Sequence, residues 1–340
     1  MANIIHFSHA GACGGRRFIF ILACMIMFAF LSACLLSSFS RNSTINRLPV
    51  NYSVHQYAQH YSKAEPADLT DAVKKIRILC WIMTGPKTHK TKAIHVKATW
   101  GNRCNILLFM SSAKDDSLPT VVLPVGEGRN NLWPKTKEAF KYIYKNYKDK
   151  ADWFMKADDD TYVIVENLRF MLSSYNTSAP LYFGYRFKPF VKQGYMSGGS
   201  GYVLSRESLR KFVQEALPNP TKCFNGSNRP EDVEIGKCLE KVGVKAMDSR
   251  DPLDRERFLP LPLGTLLVPQ ALSKDSWFWK WMYYEDQNNH NCCSDYAISF
   301  HYIQPQMMHV FDYLIYHVRP YGATHHMDSL RLTPSTTTEP

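Results

Sequence analysis

Asp158-Asp159-Asp160 is the one run of three acids in the 340-residue chain. Successive carboxylates repel one another unless positive charge compensates them, and a divalent cation is the simplest compensation. Carboxylate oxygens are hard ligands suited to Mg, Ca or Mn, and a site with few protein ligands keeps positions open for phosphate oxygens. In an extended segment Asp158 and Asp160 point one way and Asp159 the other. A solvated acidic turn or a helix cap is the plainer alternative. His301, in Ser299-Phe300-His301-Tyr302, offers an imidazole that would complete a manganese-type mixed nitrogen and oxygen site. Its alternative is a hydrogen-bonded core histidine. Arg229-Pro230-Glu231-Asp232-Val233 opens a helix well, because proline and acids suit its first turn. The same physics would hold a carboxylate ionised, ready to take a proton from a sugar hydroxyl.

Two further segments carry weaker signals. Tyr195-Met196-Ser197-Gly198-Gly199-Ser200-Gly201-Tyr202 has glycines that permit close backbone approach to a ligand or a tight turn. It is neither a phosphate-loop nor a dinucleotide fingerprint, which weighs against ATPase and dehydrogenase functions. The block Trp277 to Tyr284 could stack on sugar faces, although an aromatic run is more often core or interface.

The elements around these residues alternate. Ile76 to Met83 reads as a buried strand ended by Thr84-Gly85-Pro86, Thr91 to Trp100 as a helix, and Asn105 to Met110 and Thr120 to Val125 as strands. Trp133 to Tyr147 has a helical pattern, with Phe140, Ile143, Tyr144 and Tyr147 on one side. Asp152 to Ala157 reads as a strand that delivers the chain into the acidic triplet, and Val163 to Tyr175 as an amphipathic helix. Leu181 to Phe187, Gly201 to Leu204 and Ala297 to Ile303 read as strands, and Arg206 to Leu217 and Glu231 to Val242 as helices. This order predicts an α/β sheet with the acids at the carboxyl end of a strand, where open α/β sheets bind ligands.

Compartment follows from the first segment. Phe18 to Phe39 is uncharged and long enough to cross about 30 Å of hydrocarbon; with no second such stretch, a polytopic membrane protein is excluded. Arg16 and Arg17 precede the span, so the short tail is expected to stay cytosolic and the body to be lumenal. A cleaved signal peptide is the alternative, with an unusually long apolar core. Asn42 to about Lys75 is polar and aperiodic and reads as a stem; the tail from Thr324 is Thr/Pro-rich and is expected to be mobile. Six of nine cysteines lie in the body; proximity favours Cys80 with Cys104 and Cys223 with Cys238, leaving adjacent Cys292 and Cys293, although six cysteines allow 15 pairings. Sequons begin at Asn42, Asn51, Asn176 and Asn225. The net charge is +11. The first 41 residues hold three Arg and no acid, so the lumenal body carries 38 minus 30, or +8, which argues for a polyanion such as a sugar nucleotide rather than nucleic acid, a merely solvated basic surface being the alternative.

Several segments match a known pattern in order: Ile78 to Pro86, His95-Val96-Lys97-Ala98-Thr99-Trp100, Ala151 to Tyr162, Phe187-Lys188-Pro189, Val191 to Gly199, and Cys292-Cys293-Ser294-Asp295 running to His301-Tyr302. Together they resemble the glycosyltransferase family containing fringe-type and β1,3-galactosyltransferases. The resemblance implies an α/β fold of GT-A type: a single Rossmann-like lumenal domain over 76–323, behind a cytoplasmic tail 1–17, a transmembrane helix 18–39 and a stem 40–75, with a tail at 324–340. It implies a single-pass type II Golgi membrane protein and a homodimer. It also implies inverting, Mn2+-dependent transfer from UDP-galactose to the 3-hydroxyl of GalNAc on Ser or Thr of a glycoprotein acceptor. By position, Asp158, Asp160 and His301 match the metal site, and Asp232 the catalytic base. Met83, Glu127, Gly128, Arg129, Lys135 and Asp158 match the donor-nucleotide region, and Trp277 the acceptor aromatic. The chain departs from the family at Trp281, Glu285, His309 and the stretch Leu217 to Asn228. Two alternatives stay open: a fringe-like transferase with another donor or acceptor, since donor choice turns on a few hydroxyl contacts, and a non-catalytic chaperone-like homologue.

Overall fold

The computed structural model describes residues 73–268, 270–284 and 292–318, all within one compact unit, His60–Pro340. The expected anchor Phe18 to Phe39, the expected stem up to residue 72, the sequons at Asn42 and Asn51, Glu285 and the expected tail from Thr324 lie outside the described residues. Among those described, no helix is long and apolar enough to cross a membrane.

Every residue of β1 (Ile78–Met83) is buried. Such an unbroken apolar run belongs in the middle of a sheet covered on both faces. Alternation divides it: Ile78, Cys80 and Ile82 enter one core layer, and Leu79, Trp81 and Met83 the other. β1 pairs in parallel with β2 (Ile106–Ser111) and with β4 (Trp153–Asp158). β3 (Thr120–Val122) extends the sheet beyond β2. On the other side, β9 (Tyr202–Ser205) runs antiparallel to both β4 and β6 (Leu181–Gly184), and β10 (Lys245–Ala246) closes the edge. The result is a mixed seven-stranded sheet in the order β10-β6-β9-β4-β1-β2-β3.

Helices cover both faces. The helix Leu132–Tyr147 buries Trp133, Ala139, Phe140 and Ile143 on one, and Val165–Leu172 buries Val165, Leu168, Met171 and Leu172 on the other. The helix Glu231–Lys241 follows Pro230. Cys80 is bonded to Cys104, Cys223 to Cys238, and Cys292 to Cys293.

Two small sheets complete the unit. β11 (Phe258–Leu259) lies parallel to β12 (Ser299–Phe300), which pairs antiparallel with β5 (Tyr162–Val163). β7 (Arg186–Phe187) pairs with β8 (Tyr195–Met196).

Several expected elements come out differently: Thr91 to Trp100 divides into a π turn, a short α-helix and a 3-10 turn, Thr120 to Val125 stops at Val122, and Val163 pairs in a strand before the helix begins at Val165. Leu181 to Phe187 is two strands, because Gly184 ends the pairing with β9 and Arg186 turns to pair with Met196. The strand expected over Ala297 to Ile303 shrinks to Ser299–Phe300, since Tyr302 takes a φ of 60°, a left-handed conformation incompatible with continued pairing. Arg206 to Leu217 begins as an α-helix at Arg206–Lys211 and widens into a π turn at Phe212–Ala216.

Candidate active site

Register explains how His301 reaches acids far upstream. Phe300 pairs with Tyr162 across the antiparallel β12–β5 ladder, so the next residue, His301, comes level with the turn that closes the acidic triplet. The amide of Ile303 donates to the Asp160 carbonyl at 2.9 Å, which locks the two segments together. One ligand atom each from Asp158, Asp160 and His301 lie within 4.8 Å of one another. His301 Nε2 is 3.6 Å from Asp160 Oδ1, and Nδ1 is 3.1 Å from the Pro260 carbonyl. A carbonyl only accepts, so Nδ1 carries the hydrogen and Nε2 faces the acids with its lone pair. This backbone support is the usual way a metal-binding imidazole is oriented. Two carboxylates and one imidazole, so supported, fit a manganese-type cation.

Asp159 is set apart from this group. It accepts from Thr84 Oγ1 at 2.8 Å, and burial raises its pKa against the opposing pull of Thr88, Thr84 and Lys92. The expected separation of Asp159 from its neighbours holds, but Asp160 achieves it in a turn, with the Thr161 amide bonded to the Asp158 carbonyl at 3.1 Å, rather than in an extended strand.

Two lysines attend the triplet. Lys156 is buried and donates to Asp158 Oδ1 at 2.6 Å and to the Gly198 carbonyl at 2.9 Å. Burial opposes its charge, yet Asp158 and Glu231 outweigh that and raise its pKa. Lys92 reaches Asp160 Oδ2 at 3.1 Å and Asp159 Oδ1 at 3.7 Å. Partial burial would lower its pKa, and Asp160 more than reverses this. Burial likewise pushes the Asp160 carboxyl up, but a protonated His301 together with Lys92 would prevail and hold it at about 2.

Glu231 and Asp232 stand at the start of the helix Glu231–Lys241. Buried Glu231 accepts from Tyr202 Oη at 2.6 Å and Thr136 Oγ1 at 2.9 Å. Asp232 accepts from the Val233 amide at 2.9 Å and the Gly198 amide at 3.3 Å. Burial raises its pKa, against those amides and Lys156. A carboxylate moved up in this way is better matched to accepting a proton near neutrality. The Gly198 peptide thus joins the two halves of the site, its carbonyl bound to Lys156 and its amide to Asp232. A β-carbon at Gly198 would sit 3.0 Å from Glu231 Oε2 and 3.6 Å from Lys156 Nζ.

The residues matched to a nucleotide gather at the carboxyl end of β1. Met83 is the register partner of Asp158. Lys135 is buried and bonds both Glu127 oxygens, at 2.8 and 2.7 Å, and the Thr84 carbonyl at 2.8 Å. Burial would raise Glu127, but Lys135 and Ser112 bring it below its ordinary value. Gly128 takes a φ of 100°, and Arg129 is exposed in the short turn Arg129–Asn131. Trp277 begins the short helix Trp277–Trp281 and is 49% exposed; its ring neighbours are Phe187, Phe278 and Trp281, so it belongs to an aromatic cluster rather than to the acid group.

Sequence reasoning missed Lys92, Lys156, Thr84 and the partners of Glu231. A signal existed for Lys156: it precedes Asp158 by two residues on one strand, so both side chains share a face. Lys92 carried none, because its role depends on a turn folding back over the end of β1.

Comparison with known proteins adds lineage to this geometry. A family model described as Fringe-like matches residues 73–256. Glycoprotein-N-acetylgalactosamine 3-beta-galactosyltransferase 1 of Xenopus laevis is 50% identical over 265 residues, covering 77% of this chain and 73% of that protein. A beta-1,3-glucosyltransferase of Mus musculus is 29% identical over 180 residues, 52% of this chain and 36% of that one. A solved glycosyltransferase involved in glycosylation of the major capsid of PBCV-1 aligns with a TM-score of 0.30 at 14% identity, over 50% of this chain and 80% of that one, too distant to bear on the fold.

Proposed function

Because the chain belongs to the Fringe-like family, we propose that it is an inverting β1,3-galactosyltransferase, moving galactose from UDP-galactose to the 3-hydroxyl of GalNAc on Ser or Thr of a glycoprotein. The product would be the core 1 disaccharide. The observation that carries the chemistry is the convergence of Asp158, Asp160 and His301, linked to Asp232 through Lys156, which bonds Asp158 and the Gly198 carbonyl, and through the Gly198 amide, which bonds Asp232. The choice of sugars rests on the 50% identity to a protein of that named activity. The reading includes a GT-A arrangement, a single-pass type II anchor in the Golgi membrane and a homodimer.

In this reading Asp158, Asp160 and the Nε2 lone pair of His301 would hold Mn2+, which would supply positive charge to the diphosphate as it departs. Met83, Glu127, Gly128, Arg129 and Lys135 border the nucleotide, and Trp277 the acceptor sugar. Asp232 accepts the proton of the acceptor hydroxyl as that oxygen bonds to the anomeric carbon. The bond from that carbon to UDP breaks in the same displacement, and its electron pair leaves on the phosphate oxygen. Attack from the face opposite UDP inverts the configuration, so no enzyme nucleophile is used. The Gly198 and Val233 amides hold Asp232 in place, and Tyr202 and Thr136 hold its neighbour Glu231.

The test is a Mn2+-supplemented assay of the purified chain against a panel of UDP-sugars and GalNAc-peptides, with linkage analysis of any product. A β1,3-linked galactose on GalNAc is expected. Transfer of another sugar would favour the fringe-like alternative, and Mn2+ binding without turnover on any donor would favour a non-catalytic homologue.

A further inference from the structure

The two acids of the cation site each already hold a lysine. Lys156 Nζ lies 2.6 Å from Asp158 and its side chain is 3% exposed; Lys92 Nζ lies 3.1 Å from Asp160 and its side chain is 34% exposed. Each acid is therefore partly neutralised before any ion arrives. A divalent cation entering between them meets two ammonium groups at short range, and that repulsion opposes its binding. A nucleoside diphosphate would offset the repulsion.

The two lysines are not equivalent in freedom. Lys156 is enclosed and tied to the Gly198 carbonyl. Lys92 stands on the π turn His89–Ala93, its amide bonded to the Thr88 carbonyl at 2.8 Å, with its ammonium at the solvent edge. It binds Asp160 through Oδ2, while Oδ1 of the same carboxylate faces His301. Cation and ammonium therefore address opposite oxygens of one carboxylate, and each weakens the hold of the other.

We propose that Lys92 is an exchangeable counter-ion. It rests on Asp160 in the ion-free site and turns to the diphosphate of the donor when the cation is bound, so that cation and nucleotide each strengthen the binding of the other. The proposal rests on the nucleotide-sugar reading above. Such coupling is reciprocal, so it can be measured from either ligand.

The experiment is calorimetric titration, with Mn2+ electron paramagnetic resonance as a second readout, on the full chain and on K92M and K92R. The probes are Mn2+ alone, and UDP at saturating Mn2+. In the unsubstituted chain UDP should tighten Mn2+ about tenfold or more, within the usual range of coupling between sites. In K92M, Mn2+ alone should bind about threefold tighter and UDP about tenfold weaker, since one charge-assisted contact is removed. K92R should keep the coupling within about threefold. Opposite signs are the signature. If K92M weakens both ligands, Lys92 merely holds Asp160 in place; if it changes neither, it has no part in binding. Either result overturns the proposal alone. Failure of the unsubstituted chain to bind UDP with Mn2+ would overturn the transferase reading as well.

Discussion

The imidazole of His301 lies directly over Gly199, in the space that a β-carbon would occupy. Any side chain there must push the ring off its place between the Pro260 carbonyl and Asp160. Gly199→Ala is therefore expected to weaken Mn2+ binding by about 10- to 100-fold, the range seen when support of a metal ligand is lost. Paramagnetic resonance of bound Mn2+ checks this, with the melting temperature as control for the fold. Unchanged affinity would remove His301 from the ligand set.

Asp232→Asn keeps the shape but only one of the two amide contacts, because Oδ1 and Oδ2 each accept one and the asparagine nitrogen accepts none, and it cannot accept a proton. UDP affinity should stay within about threefold while transfer falls by about 10²- to 10⁴-fold, the contribution expected of a positioned general base. Full turnover by this variant would reject the assignment of Asp232.

Burial raises the pKa of Asp232, and a base works only when deprotonated. The rate should therefore fall as the pH drops, with its midpoint above the ordinary aspartate value of about 3.9. The pH profile of kcat/KM measures this. A rate that stays flat down to that value would place the base elsewhere.

Lys156 is the buried cation among Asp158, Glu231 and Asp232. Lys156→Met keeps the length of the side chain and removes the charge, leaving the acids uncompensated. We expect a loss of about 3 kcal/mol in stability, the lower end for breaking a buried pair, because Asp158 retains some contact with solvent. Urea unfolding provides the measurement; a loss below about 1 kcal/mol, the worth of a surface pair, would show that water enters the site freely.

Much of the frame was legible because it rests on local patterns. The unbroken apolar run of β1, the strand leading into Asp158 and the proline-led helix at Glu231 each declare themselves within a dozen residues. His301 was legible as a residue type but not as a geometry: its strand is two residues long, and its position comes from pairing with Tyr162–Val163 rather than from its own flanks. The aromatic block also hid its form. Ser276 accepts from the Phe278 amide and starts a short helix at Trp277–Trp281, a shape that its near-uniform apolar pattern does not specify. Lys92 and Thr84 owe their roles to turns, where contacts form between chain segments that no periodicity links.

The pairing of β12 with β5 also sets an order of events during synthesis. Chains emerge amino terminus first, so Asp158 and Asp160 leave the ribosome well before Ser299, Phe300 and His301. Until that late segment arrives and docks, the nascent polypeptide has its acids but lacks the nitrogen ligand proposed for them. The proposed centre would therefore be one of the last features to mature, and a product halted before residue 299 is expected to be assembled through much of its large sheet yet without the proposed activity.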